Sequence, residues 1–423
     1  MSRPVLLRTE SLPAGSGRPG SAALPGLDPV LEKARAWAGS ERIAMLLSGS
    51  HATGRAVWVE HEGRPVSLSD VDLYVVLPSS QACRDAETRA SRDRSGLRDW
   101  LLERGFAAPL ETAFLTPPAL ASLPARPATL ELRASARVIE GDPAWRERVP
   151  AFTARDVSAE ETTLLIENRG FELLMAHPSV GGAGPLGRMR ARHAVLKTAL
   201  DLALVRALAA GEYPDGPEGR VAWARSHPVT LPDPLRGAAH VPDPGVRADL
   251  ERLWDAAQRW RTGHADVPGA AESLDDWHRT ARAWCALRWL LRPQAMVVGD
   301  DSPYRAAVRL ARRARLARRI RRSLFWHARS GQGPPLFDRW MHALDGTPQH
   351  RVNAAAAVLL LAAVETRGRG ALEPALPAEA ARALARLGVT GRGGAPDWAR
   401  AGRTVVRAWD HWVLDGQRTG DAT

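Results

Sequence analysis

The chain has 423 residues, 45% of them apolar. It is too long and too apolar for a disordered tail and large enough, at about 100–200 residues per domain, for two or three domains. Two cysteines, Cys83 and Cys285, exclude a secreted disulfide framework and point to a reducing, cytoplasmic compartment, while a formal charge of +11 admits an anionic partner such as a nucleotide, RNA or a membrane surface without requiring one.

Residues 1–27 are rich in Pro, Gly and Ser, lack the apolar stretch of a secretory signal, and read as a flexible leader. From about 28 to 150 the pattern is α/β. Short β-like runs fall at Ile43–Leu47, Ala56–Glu60, Val71–Leu77 and Leu110–Leu115, with a long charged helix over 83–105. Between Gly54 and Ser69 the sequence RAVWVEHEGRPVSL has two β-like halves around Glu62-Gly63, the pattern of a hairpin. From about 158 onward amphipathic helices broken by Pro and Gly clusters predict an all-α remainder, divided near 230 into a helical region, 151–230, and a C-terminal domain, 231–423. Trp277, Trp284 and Trp289 fall on one predicted helix. The seven-residue spacing of the first two puts both rings on one face, as core packing requires. The longest apolar run, Ala354 to Val364, is 11 residues, short of the roughly 20 a membrane span needs.

The chemistry-bearing segment is Leu46-Leu47-Ser48-Gly49-Ser50, followed by Ser69-Asp70-Val71-Asp72-Leu73. Asp70 and Asp72 are two apart on a predicted strand, so both carboxylates share a face opposite Val71 and Leu73. Adjacent like charges repel, and a hard oxygen pair of this kind suits Mg²⁺ or Mn²⁺. Gly49-Ser50 closes an apolar strand, where the missing Cβ lets backbone approach a phosphate.

This combination resembles the nucleotidyltransferase superfamily of the DNA polymerase β type, whose signature is an apolar strand, Gly-Ser, an Asp-x-Asp flanked by apolar residues, and a third carboxylate on a neighbouring strand. The resemblance covers about residues 30–145. It implies an α/β nucleotidyltransferase domain with a small mixed sheet, followed by a mostly helical region. Asp70, Asp72 and Glu111 would be the catalytic and metal-holding acids for two divalent ions, with Glu131 the alternative third carboxylate. Gly49, Ser50 and Ser69 would hold the nucleotide. The implied reaction moves a nucleoside monophosphate from an NTP to a hydroxyl acceptor and releases pyrophosphate. A small molecule or a protein is favoured over RNA as acceptor, because no RNA-binding module is recognisable. The long spacer before Ser69 departs from minimal family members, while the stretch TLELRASARVIEGDP resembles the helix and closing Gly-Asp-Pro that end the domain in small ones.

Lys33 and Lys197 are the two lysines of a chain that otherwise writes arginine. Related enzymes use a basic residue on a later helix to contact the triphosphate, which makes Lys197 a nucleotide-binding candidate, against the reading of a solvated helix face. Residues 305–329 carry ten arginines and no acid, a face for RNA phosphates or anionic headgroups or a solvated flank of a packed helix. Two further function classes fit the same motif: a non-catalytic nucleotide-binding interaction protein, and a glycosyltransferase using Asp70-Val71-Asp72 for a sugar nucleotide.

Overall fold

A computed structural model describes residues 6–7, 26–177, 184–235, 241–263, 270–291, 304, 348–367 and 398–409. The chain divides into two compact units. One comprises Met1–Thr162, Arg206–Arg220 and Ala256–Pro268, the other Thr163–Val205, Val221–Asp255 and Gly269–Thr423.

The first unit is built on a mixed four-stranded sheet. Its elements in chain order are β1 (Leu6–Leu7), α1 (Asp28–Ala38), β2 (Ala44–Ser48), α2 (Gly49–Ala52), β3 (Trp58–His61), β4 (Arg64–Ser67), β5 (Val71–Val76), α3 (Ser80–Glu103), β6 (Leu110–Leu115), α4 (Pro117–Ala121), α5 (Pro127–Ser135) and β7 (Arg137–Glu140). The sheet order is β6-β5-β2-β7, with β5 parallel to β6 and β2 antiparallel to both β5 and β7. Strand β2 (AMLLS) is buried along its whole length, as an apolar run at the centre of a sheet covered on both faces must be.

Strand alternation separates two cores. Met45, Leu47, Val71, Leu73 and Val75 point to one face and pack with Val30, Leu31, Ala34 and Trp37 of α1 and Cys83, Ala86 and Leu101 of α3. Ala44, Leu46 and Val76 point to the other, with Leu120 of α4, Leu132 of α5 and Trp145. Helix α1 forms because its apolar residues recur at helical spacing behind a proline in the first turn, and it stops at Gly39, which takes φ +80°. In α3 the Ser79 hydroxyl caps the helix by accepting from Ala82 N–H at 3.2 Å. Lys33 joins α1 to α3: its ammonium meets Asp93 at 2.5 Å and lies 5.4 Å from the centroid of the Trp100 ring.

The hairpin predicted around Glu62-Gly63 is β3–β4, and both turn residues have positive φ, 54° and 75°, the geometry of a two-residue turn that matches strand twist. Leu6–Leu7 adds to its edge along Trp58 and Val59. The reading of TLELRASARVIEGDP needs one correction: the helix ends at Ser135, and Arg137–Glu140 is the fourth strand, lying on β2. Only Ala136 separates these residues from the helix, so no Gly or Pro marks the start of a strand. The pairing is fixed instead by the edge of β2, by Arg42 donating to Glu140 at 2.5 Å, and by Gly141, where a Cβ would sit 2.7 Å from the Ile43 carbonyl oxygen.

The described residues of the second unit are mostly helical, with a single β-bridge, Pro232 to Pro242, in one connection. Its helices include α6 (Ala159–Ala176), α7 (Pro185–Ala209), α8 (Gly216–Ser226), α9 (Pro244–Arg261), α10 (Ala270–Leu290), α11 (Pro348–Arg367) and α12 (Trp398–Trp409), of which α6 to α9 extend beyond it. Trp277, Trp284 and Trp289 are core residues, and each indole N–H donates to a backbone carbonyl, of Leu173, Ile166 and Pro234 respectively. A buried tryptophan needs such a partner for its one polar atom. The apolar run Ala354–Val364 is packed within α11. Among the described residues no helix is long and apolar enough to cross a membrane.

Candidate functional site

The acids and the glycine meet at one end of the sheet. Ser48, the last residue of β2, is in register with Asp72 of β5, and Asp72 is in register with Glu111 of β6. In-register residues point to the same face, so Ser48, Asp72 and Glu111 form one row across three strands. Asp70 stands just before β5. Val71, between the acids, is buried in the core, and alternation turns Asp70 and Asp72 together away from it, both half-exposed. Glu111 is exposed on the edge strand.

Directly after Ser48 the chain bends at Gly49, which has φ +72°. A Cβ built there would lie 2.7 Å from Asp72 Oδ2. The Asp72 carboxylate therefore rests against the Gly49 backbone, and the site needs glycine twice, for the left-handed φ and for the contact. Ser50, half-buried, begins the turn of α2. Its carbonyl accepts from Arg55 N–H at 2.8 Å and from the Thr53 hydroxyl at 3.2 Å. Arg261 reaches the same loop, donating from Nη2 to the Arg55 carbonyl at 2.8 Å.

Ser69 has a different place from the one the motif suggests. It is 2% exposed, and its hydroxyl accepts from Val57 N–H at 3.0 Å. Its side chain ties to Val57 the loop that delivers Asp70. Next to it is His51, which the motif reading passed over. Its Nε2 lies 3.3 Å from the Ser69 carbonyl and 3.2 Å from the Ser67 hydroxyl, and its ring stands edge-on to Trp58. Burial pulls the His51 pKa from 6.5 down to about 4, against the Ser69 hydrogen bond and the Asp70 charge, which both favour the imidazolium. The ring is neutral at pH 7.

Both candidates for the third carboxylate belong to this face. Glu111 is in the row with Asp72, and Glu131 lies on α5, which covers the same side of the sheet. Tyr74, two residues beyond Asp72, registers them together: burial raises its pKa first, and then the charges of Asp72, Glu111 and Glu131, opposed by Arg126. Among the described residues no group of three or more His, Cys, Asp or Glu stands at metal-holding spacing. What the sheet end presents is the Asp70–Asp72 pair with Glu111 as in-register neighbour.

Lys197 is half-buried on α7 in the second unit, whereas Asp70 and Asp72 belong to the first. The face it shares is not simply solvated: His193 and Asp201 are buried, and Asp201 accepts from Arg169 at 2.6 Å. The arginine-rich stretch 305–329 lies outside the described residues. No family model matches the sequence, and the search of curated proteins returns no match.

Proposed function

We propose that the first unit is a divalent-metal-dependent nucleotidyltransferase, which moves a nucleoside monophosphate from an NTP onto a hydroxyl of a small molecule or protein. The observation that carries the reading is the seating of the Asp72 carboxylate on Gly49, with Glu111 in register beside it. Phosphate-approaching backbone and ion-holding oxygen then share one few-ångström space.

The donor chemistry fits Mg²⁺ or Mn²⁺: carboxylate oxygens on half-exposed or exposed side chains, beside a glycine cradle. Asp70 and Asp72 would hold the cation, with Glu111 as their in-register neighbour. Once bound, the ion would supply positive charge against the phosphates and the attacking oxygen.

The remaining work falls to the chain. Gly49 and Ser50 hold the triphosphate so that the α-phosphorus faces the acceptor. The acceptor oxygen forms the new bond to that phosphorus as the bond to the bridging oxygen breaks, and the electron pair leaves with pyrophosphate. A Glu111 carboxylate oxygen takes the acceptor proton, directly or through a water.

The test incubates the full chain, Mg²⁺ and each α-labelled NTP with cell extract, then identifies what becomes labelled. Label transfer that disappears in Asp72→Asn supports the reading. Nucleotide bound without pyrophosphate release supports the non-catalytic class, and preference for a UDP-sugar over free NTP supports the glycosyltransferase.

A further inference from the structure

We infer that His51 is a positioning residue for the cation site, tying the Gly49-Ser50 loop to the segment that delivers Asp70. The inference deepens the reading of Asp70 and Asp72 as cation ligands and rests on it. His51 sits on α2, two residues after Gly49, and its ring is 5% exposed. It faces the Ser67–Ser69 segment, which ends one residue before Asp70.

The hydrogen bonds there can be assigned from what each atom is able to do. The Ser69 carbonyl is only an acceptor, and the Ser67 hydroxyl donates to it at 3.1 Å. With its proton so used, Ser67 Oγ accepts from Ser69 N–H at 3.2 Å and from His51 at 3.2 Å. His51 Nε2 therefore carries the ring proton and shares it between Ser69 O and Ser67 Oγ. Val57 N–H donates to Ser69 Oγ at 3.0 Å and pins the segment from the other side. Trp58, with ring centroid 5.8 Å away, and Phe106, at 6.2 Å, hold the imidazole in place.

The consequence lies in pre-organisation. Asp70 and Asp72 repel each other before a cation arrives, so a stiff backbone helps to keep Asp70 where a shared ion needs it. His51 supplies that stiffness from the loop that also carries the glycine cradle. Hydrogen-bond partners behind metal ligands are typically worth about 10–100-fold in metal affinity. The same loss is expected when the Nε2–H is removed.

The experiment titrates Mn²⁺ alone into the full-length apo chain by calorimetry, for wild type, His51→Ala, His51→Gln and Ser67→Ala, with circular dichroism and urea unfolding in EDTA alongside. The expected result is about 10–100-fold weaker Mn²⁺ binding in His51→Ala and Ser67→Ala. His51→Gln, whose amide N–H can replace the ring donor, should recover most of that loss. Should His51→Ala fail to fold, Ser67→Ala and His51→Gln decide the question. Wild-type binding with unchanged affinity in the folded variants overturns the positioning role alone. No Mn²⁺ uptake by the wild type, with Asp70→Asn equally inert, overturns the cation reading and this inference with it.

Discussion

Gly49→Ala, compared with Gly54→Ala, isolates the contact on which the site depends. The two glycines sit five residues apart in one loop at nearly the same backbone angle, φ +72° and +69°. An L-residue in the left-handed region costs about 1–2 kcal/mol, so both variants should lose that much stability. In a domain of 150–250 residues this shifts the midpoint by roughly 2–4 °C per kcal/mol. The surroundings of the new methyl differ. At Gly54 nothing lies within 4 Å, whereas at Gly49 the Asp72 Oδ2 is at 2.7 Å, and ordinary contact begins at 3.4 Å. The carboxylate must move by about 0.7 Å, the difference of those two distances. It is the far end of a short, half-exposed side chain, so it yields at little cost in stability and moves out of position instead. A misplacement approaching 1 Å can cost up to about 10²-fold in rate. Urea unfolding should therefore rank the variants alike, while Mn²⁺ affinity and pyrophosphate release separate them by one to two orders of magnitude. Equal functional loss in both, or none in Gly49→Ala, refutes the placement of Asp72 at the centre of the site.

Asp70→Asn and Asp72→Asn should each remove turnover while leaving unfolding free energy within about 0.5 kcal/mol of wild type, as pyrophosphate release and urea titration will show. Glu111→Gln should lower turnover and Glu131→Gln should not; the reverse result would move the proton-accepting role to α5. The lowered pKa of His51 sets a pH dependence. Between its ordinary value of 6.5 and about 4 the unfolded chain takes up a proton that the folded unit refuses. The His51 contribution to stability is thus full above 6.5 and falls by about 3 kcal/mol as pH drops to 4; urea midpoints at pH 8 and 4.5 should differ less in His51→Gln than in wild type, the rest of the dependence coming from groups such as His177, whose burial lowers its pKa to about 4 as well. In the second unit Arg288 and Glu167 form a buried pair at 2.7 Å. Arg288→Ala should cost about 3–5 kcal/mol in urea unfolding, and Arg288→Met combined with Glu167→Leu far less. Gly170→Ala places a methyl 2.7 Å from Trp284 Cζ2 and should destabilise that unit by about 1–3 kcal/mol through overpacking, read as a lower thermal midpoint.

Much of the first unit was legible because its signals are local. The runs at Val71 and Leu110 begin strands where alternation and β-branched residues predict them, and Ala44–Ser48 and Ser80–Glu103 differ from prediction by a few residues at their ends. The Glu62-Gly63 turn is equally local, since both residues must accept positive φ. The gaps come from interactions between distant segments. Strand β7 exists because β2 has an edge to offer, and RVIE alone carries no such information. Ser69 reads as a motif serine in the linear sequence, yet its hydroxyl is taken by Val57 N–H, a partner made available only when the β3–β4 hairpin folds back. His51 carries no residue-level mark of its role, which arises from the two serines it meets across that turn.

By itself, the sequence determined the strands and helices from α1 to α5, the change from mixed to helical structure, and the identity of the paired acids beside a glycine-serine turn. These follow from periodicity, backbone freedom and charge within a few residues. Tertiary structure alone decided that Asp72 sits on Gly49 and beside Glu111, and that residues 206–220 and 256–268 return to the first unit. The reason is that register and domain membership are settled by which apolar faces bury one another across long separations. A short window of chain holds no record of that competition.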